Sequence, residues 1–246
     1  MRVWSMVLAA TLMAGCVARQ DAPLSTEDSL QAARANTDIA TYHLRNGALG
    51  LALEKIDRAL DQDPELIDGH LVAAEVRARL GEPAAAESHF QTALSLDEDS
   101  GPALNNYAAF LCSRGRVRRA LDLWDMAAAN PLYPRRVMAL SNAARCLSDA
   151  GRRGEAAAYW RRALSLQPHY PPALRGMTEW SLSQDSADAA QQWFSRYTAV
   201  AEETPSLLWL GVRVARAADD ADRHGQLARR LKERYPASEQ AARLTE

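Results

Sequence analysis

The residues of this chain that could carry chemistry are its histidines, its cysteines and its clustered carboxylates. The five histidines show no metal-ligand spacing, and no H-E-x-x-H motif occurs. The sequence also lacks a glycine-rich phosphate loop and a G-x-S-x-G nucleophile elbow. Acidic residues cluster at 61–68 and 97–99, near predicted helix ends, where a solvated loop is favoured over a calcium site. We therefore expect no enzyme, and no metal, cofactor or small-molecule substrate.

Cysteine is the remaining reactive residue type, and the first cysteine closes an unusual N-terminal segment. Arg2 precedes an uncharged apolar stretch over 3–15, which is shorter than the roughly 20 residues of a transmembrane helix but typical of a signal peptide. The stretch ends Met13-Ala14-Gly15-Cys16, which resembles the bacterial lipobox. We expect Cys16 to be lipidated after cleavage. An ordinary signal peptide followed by a chance cysteine is the alternative.

These features predict how the chain is divided and where it resides. Residues 1–15 are expected to form the signal peptide, 16–32 a polar tether, 33–240 the folded domain and 241–246 a C-terminal tail. Val17 follows the cysteine, whereas an aspartate there would resemble an inner-membrane retention signal. We therefore expect a lipid-anchored protein on the periplasmic face of the outer membrane. With 29 basic and 31 acidic residues, the chain lacks the basic field that nucleic-acid binding needs.

The folded part of the sequence repeats with a period of 34 residues. Glycine or aspartate recurs between two helix-like segments, a setting that suits a tight interhelical turn, at Gly47, Gly81, Gly115, Gly151, Asp185 and Asp219. Five residues after each of the first five turns comes an alanine, at Ala52, Ala86, Ala120, Ala156 and Ala190. Four further on comes a bulky apolar residue, at Ile56, Phe90, Trp124, Trp160 and Phe194. These offsets place small and large side chains on one helical face, which predicts a packed core.

This pattern of spacing and residue type resembles the tetratricopeptide (TPR) repeat. Six units run approximately over 33–66, 67–100, 101–136, 137–170, 171–204 and 205–240. The third is two residues longer, with the extra length at 130–134, and the sixth is degenerate, as expected of a terminal cap. The resemblance implies an all-α fold, a right-handed superhelix of six helical hairpins whose first helices line a concave, peptide-binding surface.

Cys112 and Cys146 are an even pair in an oxidising compartment. Both lie late in the first helix of their unit, and those helices are expected to stack side by side. The spacing allows a disulfide between adjacent repeats if the Cα atoms approach within about 7 Å. Two buried free thiols are the alternative.

The face of each first helix that stacking does not use is the predicted protein-binding groove. Its candidate residues are Thr37, Thr41, Leu44, Arg45, Leu71, Glu75, Ala78, Asn105, Ala109, Ser141 and Arg145. Leu44 and Leu71 are apolar side chains that the repeat's own core does not require, so they are candidate anchors for a partner's apolar residue. Partial burial by the N-terminal tether is the alternative for both.

Two segments around the paired cysteines are more specific than the repeat itself. They read N-N-Y-A-A-F-L-C-S-R-G-R over 105–116 and S-N-A-A-R-C over 141–146. Together with the lipobox, the six repeats and the tail segments at 208–216 and 229–239, they resemble the PilF/PilW family of type IV pilus biogenesis lipoproteins.

The resemblance implies a pilotin, a lipoprotein that binds a PilQ-like pilus secretin, promotes its outer-membrane localisation and assembly, and supports pilus stability. Two alternatives remain, one within the scaffold class and one from another class. One is a TPR lipoprotein scaffold for outer-membrane protein assembly or peptidoglycan synthesis, although those families do not suggest the cysteine pair. The other is an enzyme or its regulatory subunit, which a deep polar pocket would indicate.

Overall fold

The structure is a computed structural model that describes residues 26–244, so the expected signal peptide and Cys16 lie outside the described residues. Thirteen helices and no strand occur within this range. In chain order they are α1 (Thr26–Arg45), α2 (Leu49–Gln62), α3 (Ile67–Arg79), α4 (Pro83–Leu96), α5 (Gly101–Ser113), α6 (Val117–Ala129), α7 (Arg136–Asp149), α8 (Arg153–Leu166), α9 (Pro171–Leu182), α10 (Ala187–Thr198), α11 (Pro205–Ala217), α12 (Ala221–Arg234) and α13 (Glu239–Ala242). Among these helices, none is both long and apolar enough to cross a membrane.

The first twelve helices form six antiparallel hairpins, which confirms the all-α superhelix of TPR hairpins predicted from the period. Each of the first five second helices buries the alanine and the bulky residue that the repeat places on one face. Ala86 and Phe90 of α4, for example, are buried in a cluster with Tyr107 of the next hairpin. The Phe90 and Tyr107 rings stack with their centroids 5.4 Å apart. One hairpin therefore completes the core of its neighbour, as a repeat architecture requires.

The turn residues explain why the period is visible in the sequence. Gly47, Gly81, Gly115 and Gly151 all have φ between 73° and 78°, a left-handed conformation that costs glycine little. The last two turns hold Asp185 and Asp219 in the same region at φ 52°. Aspartate is among the few other residues that tolerate this conformation. Each hairpin therefore reverses at the same backbone geometry.

Both ends of the domain differ from the sequence-based boundaries. α1 begins at Thr26, seven residues before the predicted start at 33, and its buried stripe consists of Ala33, Thr37, Ala40 and Leu44. The added turns are tied down by Ser29, whose hydroxyl donates to the Gln62 carbonyl at 2.8 Å. At the other end, Ala241 packs against α11 and α12, so the predicted tail at 241–246 begins inside the folded core.

Successive first helices lie side by side along one face of the superhelix. α1 packs on α3, α3 on α5, α5 on α7 and α9 on α11, whereas α7 and α9 pack less closely. A disulfide joins Cys112 of α5 to Cys146 of α7, with Cα atoms 6.1 Å apart. This bond links the third hairpin to the fourth.

Candidate functional site

The first helices of hairpins one to four, with the loop before α7, enclose an open groove of about 1110 Å³. We call it the N-terminal groove. Its charged walls consist of Arg34, Asp38, Arg45, Asp68, Asp97, Asp99 and Arg135, and its apolar surface comes chiefly from Leu66, Leu71, Val72, Leu132, Tyr133 and Met138. Three arginines thus face four aspartates in a volume large enough for a peptide segment.

The floor of the N-terminal groove is fixed by a close approach between Gly101 and Tyr133. A Cβ atom at position 101 would overlap the Tyr133 side chain, so the glycine allows this buried ring to lie against the start of α5. The loop that carries Tyr133 is held by Asn130, whose side chain donates to the Asp99 carbonyl at 2.8 Å. Leu132 at the loop tip is 88% exposed and stands at the groove rim.

A second groove lies on the same face further along the chain. It consists of two adjoining cavities of about 480 and 240 Å³ that share Ser148, Trp160 and Glu179. We call it the C-terminal groove. Its remaining lining residues are Ser141, Asn142, Arg145, Asp149, Arg153, Tyr170, Pro171, Pro172, Arg175, Gly176, Trp180, Ser183, Tyr197 and Arg213.

The C-terminal groove also has an aromatic ring seated on a glycine. A Cβ atom at Gly176 of α9 would overlap the Trp160 indole of α8, which is only 7% exposed. The indole fills the space where α7 and α9 pack less closely. Burial raises the pKa of Tyr170 and of Tyr197 beside it, so both phenols are neutral at physiological pH.

The predicted groove residues divide into three sets. Those lining the N-terminal groove are Thr37, Thr41, Arg45, Leu71 and Asn105. Ser141 and Arg145 line the C-terminal groove instead. Leu44, Glu75, Ala78 and Ala109 line neither.

The expectation that Leu44 lies outside the core is wrong. Leu44 is 6% exposed and packs with Ala52 of α2 and Val76 of α3, so it belongs to the core of the first two hairpins. Leu71 is likewise 7% exposed and belongs to the main core cluster, although its edge reaches the N-terminal groove. Neither leucine is a free anchor for a partner.

Asn105 is committed to an internal network rather than to a ligand. Its carbonyl oxygen accepts from Trp124 Nε1 at 3.2 Å and from Asn142 Nδ2 at 3.0 Å. Its own amide donates to Asn106 Oδ1 at 3.1 Å. Asn106 is exposed and lines the groove, so it is the asparagine available to a partner.

Sequence reasoning missed several groove residues for which signals existed. Arg34 and Asp38 lie four residues apart and continue the face of α1 that carries the predicted residues Thr41 and Arg45. The two-residue insertion in unit three could have indicated Leu132 as a rim residue. Arg153 and Arg213 have no such signal, because they reach the C-terminal groove from helices far apart in the chain.

Within residues 26–244, no group of three or more histidine, cysteine, aspartate or glutamate side chains could hold a metal ion. What the two grooves offer is charged, amide and aromatic surface along a concave face. Surfaces of this kind bind proteins.

Comparison with known proteins places this architecture among pilus biogenesis factors. The chain is 27% identical over 233 residues to the type IV pilus assembly protein PilF of Pseudomonas aeruginosa, covering 94% of this chain and 92% of that protein. It superposes on the crystal structure of PilW, a widely conserved type IV pilus biogenesis factor, with a TM-score of 0.75 and 30% identity over 88% of this chain and 99% of PilW.

The fold is shared more widely than the family. YrrB, a TPR protein with an unusual peptide-binding site, matches with a TM-score of 0.57 at 14% identity, over 77% of this chain and 97% of YrrB. No family model matches the chain. The similarity to PilW, however, spans nearly the whole of that protein and extends to the sequence. The chain therefore belongs to the PilF/PilW family of TPR-containing type IV pilus biogenesis factors.

Proposed function

We propose that this protein is an outer-membrane lipoprotein that binds the type IV pilus secretin and promotes its assembly. Lipid on Cys16 would anchor the chain to the periplasmic face of the outer membrane. The N-terminal groove, built from the hairpins that follow this attachment point, would hold a secretin segment. The observation that carries the proposal is that groove, an open concavity of about 1110 Å³ in a member of a pilus biogenesis family.

The N-terminal groove suits a peptide segment that carries both charged and apolar side chains. Arginine and aspartate side chains on its walls can pair with charges of either sign, while Leu132 and Tyr133 offer apolar contact. Asn106 presents an exposed amide that can bond a partner's backbone. Affinity would come from a few anchor contacts rather than from the whole surface.

The decisive variant must alter the groove without touching the core. Changing Leu44 and Leu71 to aspartate would bury two charges and unfold the hairpins, since both side chains are core. Leu132→Asp combined with Arg45→Glu is the better choice, because both side chains are exposed and Arg45 makes no ion pair among the described residues. We expect detergent-resistant secretin multimers in the outer membrane to fall by about tenfold or more.

The matched control is Leu166→Asp, combined with Arg58→Glu. Leu166 ends α8 with 44% exposure, Arg58 is exposed on α2, and neither lines a groove. Thermal unfolding should be unchanged in both double variants. Normal secretin multimers in the groove variant would show that the binding surface lies elsewhere.

The lipid anchor is tested separately. A Cys16→Ser chain should appear in the soluble periplasmic fraction, and secretin should fail to reach the outer membrane, although the purified protein keeps its groove. Normal membrane fractionation of this variant would contradict the anchor alone.

A further inference from the structure

The C-terminal groove differs from the N-terminal groove in its charge balance, because arginines outnumber carboxylates in its lining. Arg145 of α7, Arg153 of α8 and Arg213 of α11 line it, and within residues 26–244 none of the three makes an ion pair. Arg175, the fourth arginine, pairs with Glu179 at 3.1 Å. Asp149 is the other carboxylate of the lining. The lining of the C-terminal groove thus contains four arginines and two carboxylates.

Elsewhere on the surface, some arginines pair with carboxylates of the preceding hairpin. Arg116 binds Glu87 through both terminal nitrogens, at 2.8 and 2.7 Å. Arg162 likewise binds Asp125 of the preceding hairpin at 2.7 Å. Such bridges tie neighbouring hairpins together. The unpaired arginines of the C-terminal groove contribute no comparable bridge, so their charge remains available to a ligand.

The surface between these arginines is aromatic and rigid. Trp160 is fixed against Gly176, and Trp180 is held from the other side by Arg161, whose guanidinium lies 5.1 Å from the indole centroid. Pro171 and Pro172 begin α9 at the groove edge. A ligand here would rest on fixed rings and would order few side chains on binding.

The spacing of the arginines selects the kind of ligand. They project from α7, from the start of α8 and from α11, and packed helix axes lie about 8–10 Å apart. Arg145 and Arg213 lie on α7 and α11, first helices two spacings apart, and an extended chain that advances roughly 3.3 Å per residue can span that separation. A bilayer surface is disfavoured, because the groove is concave.

We infer that the C-terminal groove is a second protein-binding site, which takes an extended, acidic peptide segment whose carboxylates pair with Arg145, Arg153 and Arg213. Arginine suits this role because its planar fork bonds both oxygens of a carboxylate. The site is independent of the secretin contact proposed for the N-terminal groove. It gives the scaffold two grooves on one concave face, each for its own peptide segment.

The test uses the purified full-length chain and a fluorescently labelled peptide of alternating glutamate and proline, which is extended in solution. We expect saturable binding that weakens with added salt. The same peptide with glutamine in place of glutamate should bind about tenfold or more weakly. Arg145→Gln, Arg153→Gln and Arg213→Gln together should reduce the affinity for the acidic peptide by about tenfold or more.

The matched control removes the same charge from exposed arginines outside both grooves, by Arg58→Gln, Arg118→Gln and Arg229→Gln. This variant should bind the acidic peptide within about twofold of the parent chain, since long-range charge is screened over roughly 10 Å. Three results would overturn the inference: no saturable binding, equal loss in both triple variants, or equal binding of the glutamine peptide. Loss of binding to phosphatidylglycerol vesicles, with peptide binding intact, would assign the arginines to a lipid surface instead.

Discussion

The N-terminal and C-terminal grooves are built alike and differ in what they present. In each, an aromatic ring lies against a helix at a glycine, Tyr133 at Gly101 and Trp160 at Gly176. The N-terminal groove then offers three arginines and four aspartates, whereas the C-terminal groove offers four arginines and two acids. The repeat dictates the buried positions of each hairpin and leaves the concave positions free. One scaffold can therefore carry two surfaces of different charge.

The covalent link between the two grooves gives the largest effect we expect. Cys112 belongs to α5, which lines the N-terminal groove, and Cys146 lies on α7, which contributes to both grooves. Replacing both cysteines by serine should lower the free energy of unfolding by about 3–4 kcal/mol, because the 34-residue separation closes a long loop in the unfolded chain. Urea unfolding with and without reductant measures this difference.

Comparing the parent chain with the double-serine variant, each with and without reductant, provides the control for this experiment. The parent chain should lose stability on reduction, whereas the double-serine variant should be insensitive to reductant. Thiol labelling of the unfolded, unreduced chain should find both cysteines blocked. A parent chain whose unfolding ignores reductant would mean that the two grooves are held together by packing alone.

The glycine beneath each ring offers a comparison by identical substitution. Gly176→Ala should destabilise by about 2–3 kcal/mol, because the added methyl overlaps Trp160, which is held within the regular helix α8. Gly101→Ala should cost less, about 1 kcal/mol, since Tyr133 lies in the irregular loop before α7 and can shift. Chemical denaturation of both variants would measure the two costs.

Exposed Gly154, where a Cβ atom meets nothing within 4 Å, provides the matched control. Gly154→Ala near the start of α8 should be neutral or slightly stabilising, because alanine favours the helix. Equal losses of unfolding free energy for Gly101→Ala and Gly176→Ala would contradict the expectation that Tyr133 in its loop shifts more easily than Trp160 in its helix.

The sequence predicted the elements that obey the repeat. The alanine and aromatic positions of the second helices are buried because their spacing matches one helical face, and the turn glycines adopt positive φ because the hairpin reverses there. Leu44 shows where this reasoning failed. Its partners Ala52 and Val76 lie on two different helices, and the second of these belongs to the next hairpin. A period describes one repeat and does not reveal such a contact.

The groove walls were harder to predict for a related reason. Concave positions are not constrained by packing, so their residue types follow no period. The Leu132 loop is a single insertion, and the C-terminal groove depends on the looser packing of α7 against α9. That gap is filled by Trp160, whose size and position were evident, but whose neighbour Gly176 was not recognised as the residue that admits it.

The smallest effect we expect is a pH dependence confined to the N-terminal half. His70 of α3 is buried, and its Nε2 lies 2.8 Å from the Pro64 carbonyl, so Nε2 carries the proton and donates. Its Nδ1 then accepts from His89 Nδ1 of α4 at 3.0 Å. This arrangement accommodates at most one imidazolium. Burial, and then the proximity of His70 and Arg77, lowers the pKa of His89, while Asp57 opposes the shift.

The sign of the effect follows from that lowered pKa. Below about pH 6.5 His89 binds a proton more readily in the unfolded chain than in the folded one. The free energy of unfolding should therefore fall as the pH drops from 7 towards 5. Hydrogen exchange should locate the loss in α3 and α4, behind the N-terminal groove, and leave α9 and α11 unchanged. His89→Gln should remove this pH dependence, whereas His169→Gln, at an exposed position in the loop before α9, should not. An equal acid-induced loss of protection in both halves would show that the histidine pair does not distinguish them.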